Sequence, residues 1–439
     1  MLYDMSHLQR YLKDSLHLNE LAIAAADIGM SCWLVGGALR DLFLGRPVTD
    51  IDIAAPEDPS PLARRWAKSQ GGHWFWLDKE RLQSRVLLRS GKLPLTFDFA
   101  PLRAPSIDRD LQLRDFSINA FALALVAPLS EQPLLDPLQG LKDLQNGILR
   151  QCSSQSLLDD PLRILKGIRH CTALDLAIEK ETTECMKKYA HLLSRSAGER
   201  KRTELGRILA AEDPIRGLSL LDKYDLLEGL LCSSKVSIAG SSWLEEWPQN
   251  AADLDAWTQR LPDLFAQTFD EVFTRKSLYL ITKILRSSGA VNVASCLRER
   301  IRFSRQSVTI IDRLVSFCPD TMLSLDLLPD SKRARALWLH GLGKAPIDQL
   351  LYFAIFEQPG RIPADRISAV IADYTGLLTA GRIPALLSGS EIKRLLPELN
   401  DKQIGTLQAM INQAEMTGEI SSVKDAKDYL LAENSIDKI

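Results

Sequence analysis

Two aspartates, Asp50 and Asp52, stand one residue apart in the segment PVTDIDIAA, thirteen residues after the pair Gly36-Gly37. The segment alternates with the period of a strand: Thr49, Ile51 and Ile53 fall on one side, Asp50 and Asp52 on the other. Two ionised carboxylates on one strand face repel each other and raise each other's pKa unless a cation neutralises them. Mg²⁺ suits such a pair, because it takes one or two carboxylates and completes its shell with substrate phosphate oxygens. A Gly-Gly turn that opens a helix offers backbone N–H groups to a triphosphate. Together these features point to phosphoryl transfer with two metal ions held by Asp50 and Asp52. Asp98, in LTFDFA, alternates with Phe97 and Phe99. It is either a third ligand of the same centre or a solvent-facing strand residue.

The elements that must hold these residues are legible around them. Residues 6–29 carry apolar positions at helical spacing. SCWLVGGALRDLFLG reads as a short buried strand, a turn and a helix. Residues 59–70 read as a helix, and WFWLD, SRVLLRS and LTFDFAPLR as strands separated by Gly and Pro. After about residue 156 the alternation nearly disappears, and amphipathic helical patterns such as SLLDDPLRILKGIRHCTALDL and AGERKRTELGRILAA run to about residue 435. PGRIPADR and AGRIPALL read as breaks between late helices. The expected architecture is an α/β head with a small mixed sheet, followed by an all-α neck, body and tail. The expected bounds are 1–150 for the head, 151–210 for the neck, 211–330 for the body and 331–439 for the tail.

The chain has 439 residues, enough for two to four domains. Apolar residues make up 46% and charged residues 25%, a composition of soluble proteins. No apolar run reaches the roughly 18 residues that span a bilayer, and the N-terminal stretch lacks the apolar core of a signal peptide. A cytoplasmic location follows as an expectation. The seven cysteines form no CxxC pair and read as reduced thiols. The net charge of −2 does not favour nucleic acid, yet residues 151–210 hold eleven Lys/Arg against eight Asp/Glu. That local excess suits a partner held by few phosphates, or simply a solvated helical face.

LVGGALRDLFLGRPVTDIDIA resembles the signature of the class II tRNA nucleotidyltransferases and bacterial poly(A) polymerases, within the DNA polymerase β superfamily. Further segments follow in the family's order. DLQLRDFSINAFAL (110–123) is similar to its Arg-Arg-Asp-Phe-Thr-x-Asn-Ala segment, and LLDPLQGLKDLQNGILR (134–150) to its Asp-Pro…Gly…Asp-Leu…Leu-Arg segment. DDPLRILKGIRH (159–170) and ERKRTEL (199–205) resemble its two neck helices. The resemblance spans residues 34–209; nothing in 210–439 adds to it.

The resemblance implies a polymerase β-like head and roles for its residues. Asp50 and Asp52 would hold two Mg²⁺ ions, with Asp98 a third catalytic acid. Gly36, Gly37 and Arg40 would meet the triphosphate. Arg114, Asp115 and Asn119 would contact ribose and phosphates, with Arg169 also on the nucleotide side. Asp160 and Arg163 would read the base edge, the carboxylate accepting from an exocyclic amine and the guanidinium donating to ring N or O. Spaced by three, they are expected to share a helix face. Departures from the family pattern are Leu113 for its first arginine, Ser117 for Thr, Lys166 for Arg and His170 for Phe.

The implied activity is template-independent addition of nucleotides to the 3′ end of tRNA from CTP, ATP or both, with a helical tail on the RNA. CC addition, full CCA addition, A addition and poly(A) synthesis all belong to the family; transfer to a non-RNA acceptor is a remoter alternative. Family members that finish with A usually carry a longer flexible segment where this chain has only APSIDR (104–109) before Asp110. A link that short has little room to reshape a pocket, which favours CC addition. Residues 71–83, glycines beside a charged run, could substitute for it.

Overall fold

The alternation around the aspartates becomes the middle of a seven-stranded sheet in the computed structural model of the protein. The structure describes residues 5–90, 93–231, 243–289, 293–328, 331–379 and 386–432. Two helices, α1 (Met5–Asp14) and α2 (Leu16–Asp27), lead into β1 (Trp33–Val35), α3 (Gly37–Phe43), β2 (Asp50–Ala55) and α4 (Ser60–Ser69). Then come β3 (His73–Asp78), β4 (Gln83–Ser90), β5 (Leu93–Pro101), α5 (Ile107–Gln112), β6 (Ala122–Ala124), β7 (Leu134–Leu135) and α6 (Gly140–Gln145). The strand order is β3-β4-β5-β2-β1-β6-β7. β2 and β5 run parallel and the other pairs antiparallel, so the sheet is mixed as expected.

The two faces of the sheet differ because side chains alternate. Ile51, Ile53, Val86, Leu88, Phe97 and Phe99 are buried on the back face. Trp66 of α4 covers them, its ring 4.7 Å from that of Phe97 and 6.1 Å from that of Phe99. Burying a ring of that size contributes on the order of 4–6 kcal/mol of gross apolar transfer. On the front face, Ala54 of β2 and Val35 of β1 pack under Ile107 and Leu111 of α5. α5 stops short of Asp50 and Asp52, whose residues stay exposed.

After the head, β8 (Ile148–Leu149) pairs with β9 (Ala177–Ile178) on either side of α7 (Ser156–Asp159) and α8 (Leu162–Leu174). α9 (Lys180–Tyr189) and α10 (Gly198–Leu209) follow. Gly167 brings α8 against the head: a Cβ there would lie 2.8 Å from the Phe116 ring and 2.6 Å from the Met186 methyl. α11 (Pro214–Lys223) belongs with these helices. Its Arg216 donates to the carbonyls of Cys171 and Leu176 at 3.2 and 3.1 Å.

The chain divides into two compact units between Leu230 and Leu231. The expected head and neck ranges fall in the first and the expected tail in the second, while the expected body, 211–330, straddles the division. Among the described residues, the regular elements of the second unit are helices apart from the two-residue strands Thr268–Phe269 and Phe273–Thr274. A buried ion pair marks its interior, Arg275 to Asp348 at 2.7 Å, with the Tyr279 hydroxyl donating to the same carboxylate. Leu387, Ile392, Leu407, Ile411 and Leu430 form a separate apolar cluster near its end. Of the two late breaks, PGRIPADR is a turn entering the helix Ala364–Thr379; residues 380–385 of the other lie outside the described residues. The expectation of reduced thiols holds for Cys32, Cys152, Cys171, Cys185 and Cys318, whereas Cys296 is disulfide-bonded.

Candidate active site

β2 places Asp50 and Asp52 on the open front face, and the parallel register sets Asp98 of β5 directly beside Asp52. Asp98 is not a free carboxylate. Arg85, its neighbour on β4, grips both oxygens at 2.7 and 2.8 Å. Such a bidentate pair is charge-assisted and fixed in plane, so Asp98 sits here as half of an ion pair. The surrounding protein pushes the Asp52 carboxyl up to about 6. Although the residue keeps open surface, desolvation by the protein packed around its carboxyl is the largest cause; Arg114 and Arg85 oppose it, and Asp98 and Asp50 add to it.

The acidic neighbours Asp50 and Asp98 contribute to that shift, and a cation bound beside them would offset their part of it. Among the described residues no three His, Cys, Asp or Glu side chains gather closely enough to enclose an ion. The donor set fits a hard divalent ion nonetheless, because Mg²⁺ uses one or two carboxylates and borrows substrate phosphate oxygens for the rest.

The turn before α3 brings a second group to Asp52. Gly36 has φ +82°, a conformation that favours glycine. A Cβ at Gly36 would lie 3.1 Å from the Asp52 carboxylate and 3.2 Å from the Arg114 guanidinium. The missing side chain therefore opens the space where Asp52 and Arg114 converge. Arg114 is oriented by the buried Asp110 of α5, at 3.1 and 3.2 Å. Asp110 also accepts from the Arg103 backbone and side chain. Burial alone would raise the Asp110 carboxyl, but Arg103 and Arg114 hold it below the usual range.

A buried polar network supports the other wall. Arg40 of α3 donates to Asn119 Oδ1 at 2.5 Å and pairs with Asp41. Asn119 Nδ2 donates to Asp115 and approaches His170 Nε2, both at 3.2 Å. Burial opposes ionisation of Asp115, yet Lys166, the Phe116 N–H, Asn119 and Arg163 outweigh it and keep its carboxyl lowered. His170 is held well below its ordinary value, first by burial and then by Arg169, Arg40 and Lys166. In the sequence His170 stands out only as a departure from the family's Phe; in the structure it is fully enclosed and bonded to a candidate site residue. Its place two turns beyond Arg163 and one turn beyond Lys166 on α8 was the sequence signal for that.

Asp160 and Arg163 do not form the helical i,i+3 pair expected of them. Asp160 is extended (φ −139°, ψ 95°) and precedes Pro161, whose ring disfavours helical geometry in the residue before it. Its Oδ1 caps α8 by accepting from the Leu162 N–H, and its Oδ2 pairs with Arg200 of α10 at 2.9 Å. Arg163 turns toward the head, donating to the Leu113 and Arg114 carbonyls and to Ser156. Leu113 contributes through its carbonyl, which any residue would supply, while its side chain is exposed. Arg169 is engaged with Glu204 at 2.8 Å. Arg85, Asp110 and Arg200, which the sequence reading gave no role, each fix one candidate residue.

The structure thus gathers Gly36, Arg114, Asp50, Asp52 and Asp98 at one centre, and Arg40, Asp115, Asn119 and His170 in a supporting network. Comparison with known proteins bears on the fold and the family. The family described as Poly A polymerase head domain matches residues 32–150, and the one described as probable RNA and SrmB-binding site of polymerase A matches residues 175–233. A CCA-adding enzyme solved with CTP has a TM-score of 0.71 at 23% identity, covering 99% of this chain and all of that one. The Thermotoga maritima CCA-adding enzyme solved with tRNA has a TM-score of 0.66, also at 23% identity, covering 98% of each chain. These likenesses establish a shared fold. An A-adding tRNA nucleotidyltransferase of Deinococcus radiodurans is 28% identical, covering 90% of this chain and 94% of its own. The CC-adding tRNA nucleotidyltransferase of Geobacter sulfurreducens is 30% identical over 418 residues, covering 93% of this chain and 94% of its own. Likeness sustained over that length, on a head that converges its carboxylates beneath a Gly-Gly turn, means that the chain belongs to the family of tRNA nucleotidyltransferases and poly(A) polymerases.

Proposed function

We propose that the protein adds cytidylates from CTP to the 3′ end of tRNA without a template, releasing pyrophosphate and stopping after CC. The observation that carries this reading is the convergence of Asp52 and Arg114 at the opening left by Gly36, with Asp50 on the same face of β2. Asp50 and Asp52 would hold two Mg²⁺ ions, which would supply Lewis-acid activation of the RNA 3′-hydroxyl and charge neutralisation at the leaving pyrophosphate. Gly37 offers its backbone N–H to the triphosphate, the Gly36 N–H being held by the Phe121 carbonyl at 3.3 Å, and Arg114, steadied by Asp110, takes a phosphate or ribose oxygen. Arg40, Asp115 and Asn119 fix the loop that presents Arg114. Asp98 acts through its row with Arg85, holding the strand beside Asp52.

Base choice falls to the neck. Asp160 accepts from the cytosine amine once Arg200 yields, and Arg163 donates from the N–H groups that its carbonyl bonds leave over. Arg169 keeps α8 and α10 in register beside them. The helical chain beyond the neck, including residues 331–439, holds the tRNA. No described helix is long and apolar enough to cross a membrane, and the cytoplasm is where this reading places the protein.

CC addition is favoured over CCA addition by the link after β5. It comprises residues 102–106 only before α5 begins at Ile107, and Asp110 ties it to Arg103 at 2.9 Å. The Geobacter relative carries the CC-adding name. Incubation with tRNAs ending before, within and after CCA, each with one labelled nucleoside triphosphate, tests the reading. Labelled C on the first substrate supports it; no incorporation on any overturns it.

A further inference from the structure

The front face of the head sheet continues beyond the carboxylates. Asp52 faces Asp98, Asp98 faces Arg85, and Arg85 faces Phe75, one residue from each of four neighbouring strands. A second row runs Asp50, Thr96, Leu87, His73. Both rows lie opposite the buried Ile51, Phe97 and Val86. β3 is the edge strand, and on it Phe75 is 40% and Leu77 45% exposed, with His73 exposed as well. The intervening Trp74 and Trp76 take the other side, packed edge to face at 5.1 Å under Arg64 of α4. The strand therefore uses its tryptophans for the fold and leaves a phenyl and an imidazole ring on the face of the carboxylates. An apolar edge strand left open is a liability in a folded chain, which asks for an occupant.

We propose that Phe75, with His73 beside it, is a stacking subsite for the single-stranded 3′ end of the acceptor RNA. The proposal rests on the function given above. The nucleotide-side residues Gly36 and Arg114 reach Asp52 from the β1 side, and β1 and β3 lie on opposite sides of β2 in the sheet. In-line displacement keeps the attacking and leaving oxygens on opposite sides of phosphorus. The RNA hydroxyl therefore arrives from the β5–β4–β3 side, along the row that ends at Phe75. Three strand spacings put Phe75 about 14 Å from Asp52, a span that about four stacked nucleotides cover at about 3.4 Å each. Every base has a face to stack, so an aromatic platform accepts the end of any tRNA. Arg89, exposed on the same face of β4 as Arg85 and Leu87, stands where a backbone phosphate needs a cation.

The test uses the full chain and tRNA ending before CCA, with 2-aminopurine near its 3′ end as a stacking reporter. Phe75→Ala is expected to weaken tRNA binding roughly 5- to 100-fold, raise the KM for tRNA but not for CTP, and abolish the fluorescence quench on binding. Phe75→Trp should restore all three, and an unchanged Tm should show that the exposed position is not structural. Wild-type affinity and quench in Phe75→Ala, with Asp50→Asn still inactive, would overturn the subsite and leave the enzyme's function standing. A raised KM for CTP alone would give the ring to the incoming nucleotide and overturn the acceptor assignment. A wild-type protein that neither binds tRNA nor extends it would remove the functional reading, and the subsite with it.

Discussion

Asn119 Nδ2 donates to His170 Nε2 across 3.2 Å, so a single amide ties the head loop at 115–119 to the neck helix α8. The same amide accepts from Arg40 through Oδ1, which adds α3 to the junction. Acceptance at Nε2 leaves the imidazole proton on Nδ1, and the ring is neutral, in keeping with its lowered pKa. His170→Phe should keep the edge-to-face packing on Phe116, now at 6.2 Å, but remove the acceptor. The expected cost is about 1 kcal/mol of stability, with kcat/KM for CTP falling while tRNA affinity holds. Thermal unfolding and steady-state kinetics on CTP check both; an unaltered kcat/KM would assign the junction to folding alone.

The lowered pKa of His170 also has a pH signature. A neutral buried imidazole stabilises the fold fully above the unfolded value of about 6.5, and that stability is lost as pH falls toward the folded value. Denaturant midpoints measured from pH 8 down to pH 5 should therefore decline more steeply for the wild type than for His170→Phe. Parallel profiles would mean that His170 accepts its proton while folded.

The catalytic half of the site was legible because strand period and turn chemistry are local. Asp50 and Asp52 needed only alternation to be placed on one face, and Gly36-Gly37 needed only a strand before and a helix after; Asp98 needed the register of β5 on β2 to be set beside Asp52. The neck was less legible because its geometry depends on tertiary contact. Pro161 marks the start of α8 after Asp160, a local signal that the spacing rule overrode. That Arg200 holds Asp160 and Arg85 holds Asp98 follows from pairings 40 and 13 residues apart. Periodicity does not encode those, nor the division between Leu230 and Leu231.

Asp52→Asn should separate the cost of the site from its use. Asp52 is pushed up to about 6, chiefly by burial and by its two acidic neighbours. A carboxyl raised in the folded state destabilises the fold while it is ionised, and that penalty is relieved as pH falls through about 6. The neutral amide should raise the Tm at pH 8 in chelator while transfer falls on the order of 10³-fold or more. A lower Tm would show that the carboxylate serves the fold, and near wild-type incorporation would remove the metal site.

Arg163 is bonded to the carbonyls of Leu113 and Arg114 and to Ser156, so it props the loop that carries Arg114; the proposed function has it face the nucleotide as well. Arg163→Ala should lower kcat/KM for CTP and narrow the preference for CTP over UTP by roughly 10- to 100-fold, the value of a well-placed contact to a base. Affinity for tRNA should change little. Arg163→Lys, which keeps the charge without the planar fork, should recover loop order and not base choice. Loss of tRNA affinity with base choice intact would place Arg163 on the RNA instead.

Completion of CCA requires the site to pass from cytosine to adenine, and that needs a part that moves. The two candidate segments are both pinned. The link after β5 is held by the Arg103 backbone and side chain on Asp110. Residues 71–83 are built into the β3–β4 hairpin, with Arg64 seated 4.0 Å over Trp74. Closure of a lid depends on hinge residues free to change φ and ψ, and neither segment offers a free run of backbone. With tRNA ending at the discriminator base and both CTP and ATP present, products should stop two nucleotides longer at single-nucleotide resolution. ATP alone should extend a tRNA already ending in CC only at background rate. Efficient conversion of that substrate to CCA would show that adenine recognition needs no such lever, and would leave the roles of Asp50, Asp52 and Arg114 unchanged.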